Sequence, residues 1–165
     1  MQANRNPVRL RSFVRDDLPA IYALDQICFR KGISYSLAEF ELLTTHASSF
    51  CLIAETAEKR LAGFAVTERT RRGGGISGHI ITIDVDPACR RRGIGRLLML
   101  ALEEELAKRG ARRCVLEVAT DDPGAQEFYS GLGYQTTARL RGYYMGSLDA
   151  MVMEKKMTVA KTETL

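Results

Sequence analysis

The distribution of apolar residues predicts an α/β fold: a mixed sheet of six to seven strands flanked by about four helices, in the order β-α-α-β-β-β-α-β-α-β-β. Three observations carry this. Runs such as Val8–Phe13, Phe50–Glu55 and Leu61–Glu68 alternate or stay apolar over strand lengths. Leu18–Cys28 and Ile94–Leu106 instead space their apolar residues as one face of a helix. Ile80–Leu98 then reads as strand, turn and helix start without interruption.

Taken in order, a short leader (Met1–Pro7) precedes the first strand. Asp16 and Asp17 stand before Leu18, Ile21, Leu24, Ile27 and Cys28, a helix with acidic residues at its positive end. Phe29–Ser36 is a loop with two aromatics and a glycine. Ser36 caps a second helix to about His46, with Glu39 completing a capping box. The next two strands form an antiparallel hairpin through Thr56–Arg60. Arg69–Gly78 is glycine-rich and charged, and is expected to be a mobile hairpin loop.

After the strand ending at Val85, Pro87 stops the ladder. Ile94, Leu97, Leu98, Ala101, Leu102 and Leu106 make a helix that Gly110 ends, just after Lys108 and Arg109. Cys114–Ala119 is a strand. Asp121-Asp122-Pro123 starts a short helix through Phe128, Tyr129 and Leu132, closed by Gly131 and Gly133. Tyr134–Leu140 and Ala150–Met157 are the last strands, linked by Arg141–Gly146. One domain over residues 1–157 with a frayed tail over 158–165 is expected.

Composition narrows the class. The chain has 165 residues, 45% hydrophobic and 27% charged, as in globular proteins with a continuous core. It shows neither an apolar run of membrane-span length nor a secretory h-region, so a cytoplasmic protein without membrane attachment is expected. Cys28, Cys51, Cys89 and Cys114 are scattered and the only histidines are His46 and His79, so no metal site is expected. Net charge is a modest +4, and the arginine clusters have no interleaved aromatics, which argues against nucleic acid.

The chemistry concentrates at Ile83–Leu98. Gly93 and Gly95 bracket Ile94 where the helix begins, leaving bare backbone N–H groups at its positive end. Arg90, Arg91, Arg92 and Arg96 add full positive charge, which together describes a pyrophosphate cradle. A dinucleotide fingerprint would need glycine at Leu98, and a P-loop would need Gly-Lys-Ser/Thr; neither is present. A basic-rimmed surface turn is the plain alternative.

Glu117 stands in the apolar strand Cys114–Ala119. Such a carboxylate is either ion-paired, with Arg139 or Arg141 as partner, or useful as a general base whose pKa burial raises toward neutrality. Tyr129, on the following helix, is either a core residue or a proton donor.

The Arg-x-x-Gly-x-Gly motif at Arg90, Gly93 and Gly95 resembles that of the GCN5-related N-acetyltransferases (GNAT). Leu116-Glu117-Val118, Asp122, Ala125, Phe128-Tyr129 and Leu132-Gly133-Tyr134 resemble a segment of the RimI-like protein N-terminal acetyltransferases, as do Tyr143-Tyr144 and Asp149-Ala150. The likeness runs over about Ile80–Met153, with Phe29 and Tyr35 echoing the acceptor loop. It implies that Ile83, Asp84, Val85, Arg90–Arg96, Asp122 and Ala125 bind acetyl-CoA, largely through backbone amides. It implies Glu117 as general base, Tyr129 as general acid, and Phe29, Tyr35, Tyr143 and Tyr144 as acceptor contacts. The implied partner is a protein or peptide N-terminus, a ribosomal protein among the candidates, met by a monomer or weak homodimer. Three positions depart from the pattern: Asp122 replaces asparagine, Arg30 a proline and Leu148 an acidic residue. An acetyltransferase for a small amine (polyamine, antibiotic or amino acid) and a non-catalytic module binding CoA or nucleic acid remain the alternatives.

Overall fold

The computed structural model describes residues 8–158, so the leader and the tail expected beyond Thr158 lie outside the described residues. The strands are β1 (Arg9–Ser12), β2 (Ser49–Glu55), β3 (Leu61–Arg72), β4 (Gly75–Val85), β5 (Arg113–Ala119), β6 (Gln135–Tyr144) and β7 (Leu148–Lys156). The helices are α1 (Leu18–Cys28) and α2 (Leu37–Thr45) before β2, α3 (Ile94–Lys108) before β5, and α4 (Pro123–Gly131) before β6. All seven strands join one sheet in the order β1-β2-β3-β4-β5-β7-β6. β4 and β5 run parallel, whereas β1–β2, β5–β7 and β6–β7 are antiparallel, so the sheet is mixed as expected. Among the described residues, no helix is long and apolar enough to cross a membrane.

The chain falls into two compact units, residues 1–67 with 81–102 and residues 68–80 with 103–165. In the first, Ile21, Leu24, Phe40, Cys51, Ile53, Phe64 and Val66 form the core. Phe40 meets Tyr35 and Phe64 edge-on at 5.6 and 5.7 Å between centroids, the geometry that ring quadrupoles favour. The capping box of α2 is present: Ser36 Oγ accepts from Glu39 N at 3.2 Å, and Glu39 accepts from Ser36 N at 2.7 Å. Asp17 does not cap α1 with its side chain; it accepts a bidentate pair of 2.8 Å bonds from Arg11.

In the second unit, Leu106, Cys114, Leu116, Val118 and Met153 are buried. Glu103, buried beside them, accepts from Tyr134 Oη at 2.9 Å and Lys155 Nζ at 2.8 Å. A buried carboxylate is tolerated when its oxygens are paired in this way.

Three boundaries differ from expectation. Arg69–Gly78 is not a loop: β3 runs to Arg72 and β4 starts at Gly75, leaving Gly73-Gly74 as the turn. Both glycines have positive φ (58° and 78°), as the tightest hairpin connections require. The loop-like composition belongs to strand residues at the end of a long hairpin. Likewise β6 continues through Arg141–Tyr144, with an irregular register between Leu140 and Tyr144 that accounts for its turn-like sequence. Gly131 is the last helical residue of α4, and the stop is Gly133, at φ 95°.

Close approach fixes one glycine near the candidate site. A Cβ on Gly63 would lie 2.7 Å from the Asp84 carbonyl oxygen and 3.4 Å from Val85 Cα. Those are backbone atoms of β4 and cannot turn aside. Gly63→Ala is expected to cost about 1–3 kcal/mol, the range for overpacking a core, which denaturant unfolding would register as a lower midpoint.

Candidate active site

The first unit supplies an anion cradle. β4 ends at Val85, a 3-10 turn follows at Pro87–Cys89, and α3 opens at Ile94. Asp86 caps the turn, its Oδ1 accepting from Ala88 N at 2.9 Å. Gly93 adopts φ 79°, and a Cβ placed there would meet nothing within 4 Å, so its backbone faces open space. Arg91, Arg92 and Arg96 are exposed around this helix end. A positive helix end and three exposed guanidinium groups suit a pyrophosphate. Arg90 acts differently: its Nε donates to the Val85 carbonyl at 3.2 Å, and Nη2 lies 3.6 Å from Cys28 Sγ. It secures the end of β4.

Strand geometry orients Val85. Asp86 N donates to Ala62 O of β3 at 2.9 Å, and successive amides of an extended chain point to opposite edges. The Val85 amide is therefore aimed away from β3. Along β4, Ile80, Thr82 and Asp84 are buried, and His79, Ile81, Ile83 and Val85 lie on the half-open face.

Asp84, expected as a cofactor contact, sends its side chain into the core at 1% exposure. Its Oδ1 accepts from Thr82 Oγ1 at 2.7 Å. Asp25 of α1, fully buried, accepts from Tyr35 N at 2.7 Å through Oδ2. The remaining buried oxygens, Asp25 Oδ1 and Asp84 Oδ2, have no hydrogen-bond partner, and each buried carboxyl acts on the titration of the other. Repulsion between two buried carboxylates is relieved when one of them keeps its proton. Burial pushes Asp84 well above the usual carboxylate range and Asp25 up to about 6.

Tyr35, an expected acceptor contact, packs on Phe40 and points its hydroxyl at Ile81 O, 3.5 Å away, so it also serves the core. Phe29 follows α1 directly, its amide donating to Asp25 O at 2.9 Å.

The second unit supplies an acid–base cluster. β5 alternates: Cys114, Leu116 and Val118 are buried, whereas Val115 and Glu117 are half-exposed. Glu117 is therefore not enclosed on both sides, and its partner is neither Arg139 nor Arg141. His79 Nε2 lies 2.6 Å from Glu117 Oε2, with the side chains 31% and 19% exposed. His79 pairs with Val115 in register, which makes Glu117 its diagonal neighbour on the same face. Arg139 instead donates to Asp149 at 2.8 Å.

Asp149 also accepts the Gly142 amide at 2.8 Å. That amide bond, followed by Arg139, holds its carboxyl below the usual range. Asp149 thereby fixes the irregular end of β6, where Tyr143 and Tyr144 meet edge-on at 4.9 Å. Burial pushes Tyr144 up to about 12, aided by Tyr143 and by the charges of Glu117 and Asp122; Tyr143 is raised by burial and by Glu117. The tyrosine pair thus lies in the field of the Glu117 carboxylate. Asp122 caps α4, Oδ1 accepting from Ala125 N at 3.0 Å, a task aspartate performs as well as asparagine. Tyr129 packs edge-on with Phe128 and Tyr134, at 5.1 and 6.0 Å.

His79 and Asp25 are the residues that sequence reasoning missed. A lone histidine in a strand carries no signal until strand register is known, and Asp25 reads as an ordinary polar position of an amphipathic helix.

Residues 18–134 match the model of the acetyltransferase (GNAT) family. The chain belongs to this family. It is 30% identical over 140 residues to a ribosomal protein bS18-alanine N-acetyltransferase of Salmonella typhimurium, covering 83% of this chain and 89% of that protein. It is 32% identical over 153 residues to a mycothiol acetyltransferase of Saccharomonospora viridis, covering 85% of this chain but 50% of that protein. The crystal structure of the ribosomal-protein-S18-alanine N-acetyltransferase from Escherichia coli superposes with a TM-score of 0.81 at 27% identity, over 96% of this chain and 99% of that one. The GNAT fold expected from the sequence is therefore correct.

The aspartate pair gives a pH signature. Both folded values exceed the ~3.9 of an unfolded aspartate, so from about pH 4 upward the folded chain binds more protons than the unfolded one. The pair's contribution to stability must then fall as pH rises. Asp84→Asn removes one of the two titrations. Its stability relative to wild type should grow as pH rises above about 4, by at most about 1.4 kcal/mol per pH unit, in urea unfolding series. A difference that stays flat would mean both carboxyls are already ionised.

Proposed function

We propose that this GNAT protein transfers the acetyl group of acetyl-CoA to the N-terminal α-amine of a protein or peptide. The observation that carries the reading is the Glu117–His79 pair on the half-open faces of β5 and β4, with the tyrosine pair in its field. A carboxylate joined to an imidazole offers a proton acceptor whose oxygen is held in place and whose new charge can be shared.

In the reaction, the amine nitrogen attacks the thioester carbonyl carbon, and the C–N bond forms as the C–S bond breaks. Glu117, directly or through water, takes the proton that the amine loses, and His79 positions its carboxylate. The Val85 amide donates to the carbonyl oxygen as charge develops there, a contribution of ~3 kcal/mol in comparable sites. Tyr129 protonates the departing thiolate. Gly93, Ile94 and Gly95 hold the pyrophosphate with their amides, and Arg91, Arg92 and Arg96 neutralise it. Phe29, Tyr35, Tyr143 and Tyr144 frame the acceptor. An α-amine, with pKa near ~8, loses its proton at less cost than lysine near ~10, which favours the N-terminal substrate. This reading also implies a cytoplasmic protein, where new N-termini are made.

The mycothiol acetyltransferase shows that comparable identity accompanies a small-molecule acceptor, so a small amine is the second reading. Two peptide pools, one with free N-termini and no lysine and one blocked with internal lysines, separate the two by mass spectrometry. Acetylation of the first pool alone is expected; silence in both, with acetyl-CoA bound, would favour the small amine. Glu117→Gln should lower turnover roughly 10²–10⁴-fold, most at about pH 6 to 7, where the amine needs the base. His79→Phe should give a smaller loss with acetyl-CoA affinity unchanged. Wild-type turnover by Glu117→Gln at that pH would make the carboxylate structural.

A further inference from the structure

Asp25 is given no chemical step in the reaction, yet it holds the segment that carries Phe29 and Tyr35. Asp25 reaches from α1 to accept the Tyr35 amide at 2.7 Å, and its neighbour Gln26 donates Nε2 to the Tyr35 carbonyl at 2.9 Å. The Tyr35 peptide is therefore gripped from both sides by successive residues of one helix. Within Phe29–Ser36, Ile33 N and Ser34 N donate to Arg30 O at 3.0 and 3.1 Å, bonds that curl the loop on itself without fastening it to the sheet. The fastening of the loop's backbone runs through Asp25, while the Tyr35 hydroxyl reaches Ile81 O of β4 at 3.5 Å. A charge-assisted bond from the Tyr35 amide is about twice as strong as a neutral one.

We propose that Asp25 is a positioning residue that fixes the Phe29–Ser36 loop through the Tyr35 amide, and that it governs affinity for the amine acceptor but not for acetyl-CoA. The proposal rests on the reading of Phe29 and Tyr35 as acceptor contacts. The Tyr35 peptide is held by its bonds to Asp25 and Gln26, so losing the Asp25 bond moves the acceptor surface while the helix end at Gly93 keeps its own geometry.

The test uses the full chain with Asp25→Asn and Asp25→Ala. Hydrogen exchange at the Tyr35 amide is followed by NMR, and KM is measured for acetyl-CoA and for a peptide beginning with alanine. Asparagine can still accept from Tyr35, so Asp25→Asn should keep slow exchange and an acceptor KM within about twofold of wild type. Asp25→Ala should speed exchange and raise the acceptor KM roughly tenfold, the loss of one charge-assisted bond, with the acetyl-CoA KM unchanged. Rapid exchange in the wild type would overturn the proposal, as would an acceptor KM unmoved in Asp25→Ala or both KM values rising together. Should the alanine variant fail to fold, Asp25→Asn decides: a tenfold higher acceptor KM with the amide still protected sinks the idea, and wild-type values support it. Exchange is read without any acceptor, so a wrong substrate assignment does not disturb that arm. With a protected amide and a silent peptide, the KM comparison passes to spermidine, where the same split is expected.

Discussion

The pleat of β4 is the constraint on which the rest depends. Its alternation sends Ile80, Thr82 and Asp84 into the core and leaves His79, Ile81, Ile83 and Val85 on the half-open face. A slip of one residue would exchange the two sets, exposing the carboxyl pair and burying the imidazole that meets Glu117. Three features pin the register: the tight backbone approach at Gly63, the bond from Asp86 N to Ala62 O, and the parallel pairing of Ser77–His79 with Arg113–Val115. The direction of the Val85 amide, and with it the proposed oxyanion contact, follows from the same pleat.

What was legible in the sequence was what is local. The strand–turn–helix junction around Gly93 could be read because strand end, proline, glycines and helix start are consecutive, and each acts within a few residues of itself. The capping box at Ser36 and Glu39 was legible for the same reason. The Glu117 partner was not, because it depends on which residue of β4 stands beside which residue of β5. The ion-pair alternative names Arg139 or Arg141, but Asp149 lies on the neighbouring strand and takes the Arg139 guanidinium at 2.8 Å. The Arg69–Gly78 segment misled in the opposite sense: its glycines and arginines look like a loop, yet only Gly73 and Gly74 turn the chain.

Several residues that resemble family motifs have plain structural duties here. Asp122 caps α4, so its difference from asparagine leaves the helix start intact while adding a charge that Tyr144 feels. Asp149 holds the Gly142 amide and thereby the turn that presents Tyr143 and Tyr144. Arg90 ties the Val85 carbonyl. In each case the motif residue builds the backbone on which the proposed site groups stand.

The buried aspartates follow a similar logic, pursued one link at a time. A buried amide left unpaired costs about 1–3 kcal/mol, so the Tyr35 N–H requires an acceptor, and Asp25 is that acceptor. A buried carboxylate left short of donors is costlier still, and Asp25 Oδ1 and Asp84 Oδ2 are both buried without one. Burial raises both groups above the ordinary acidity of aspartate, which lessens the cost of keeping them in the core. An apolar pair of similar volume would pack without that penalty, but it would remove the acceptor of the Tyr35 amide.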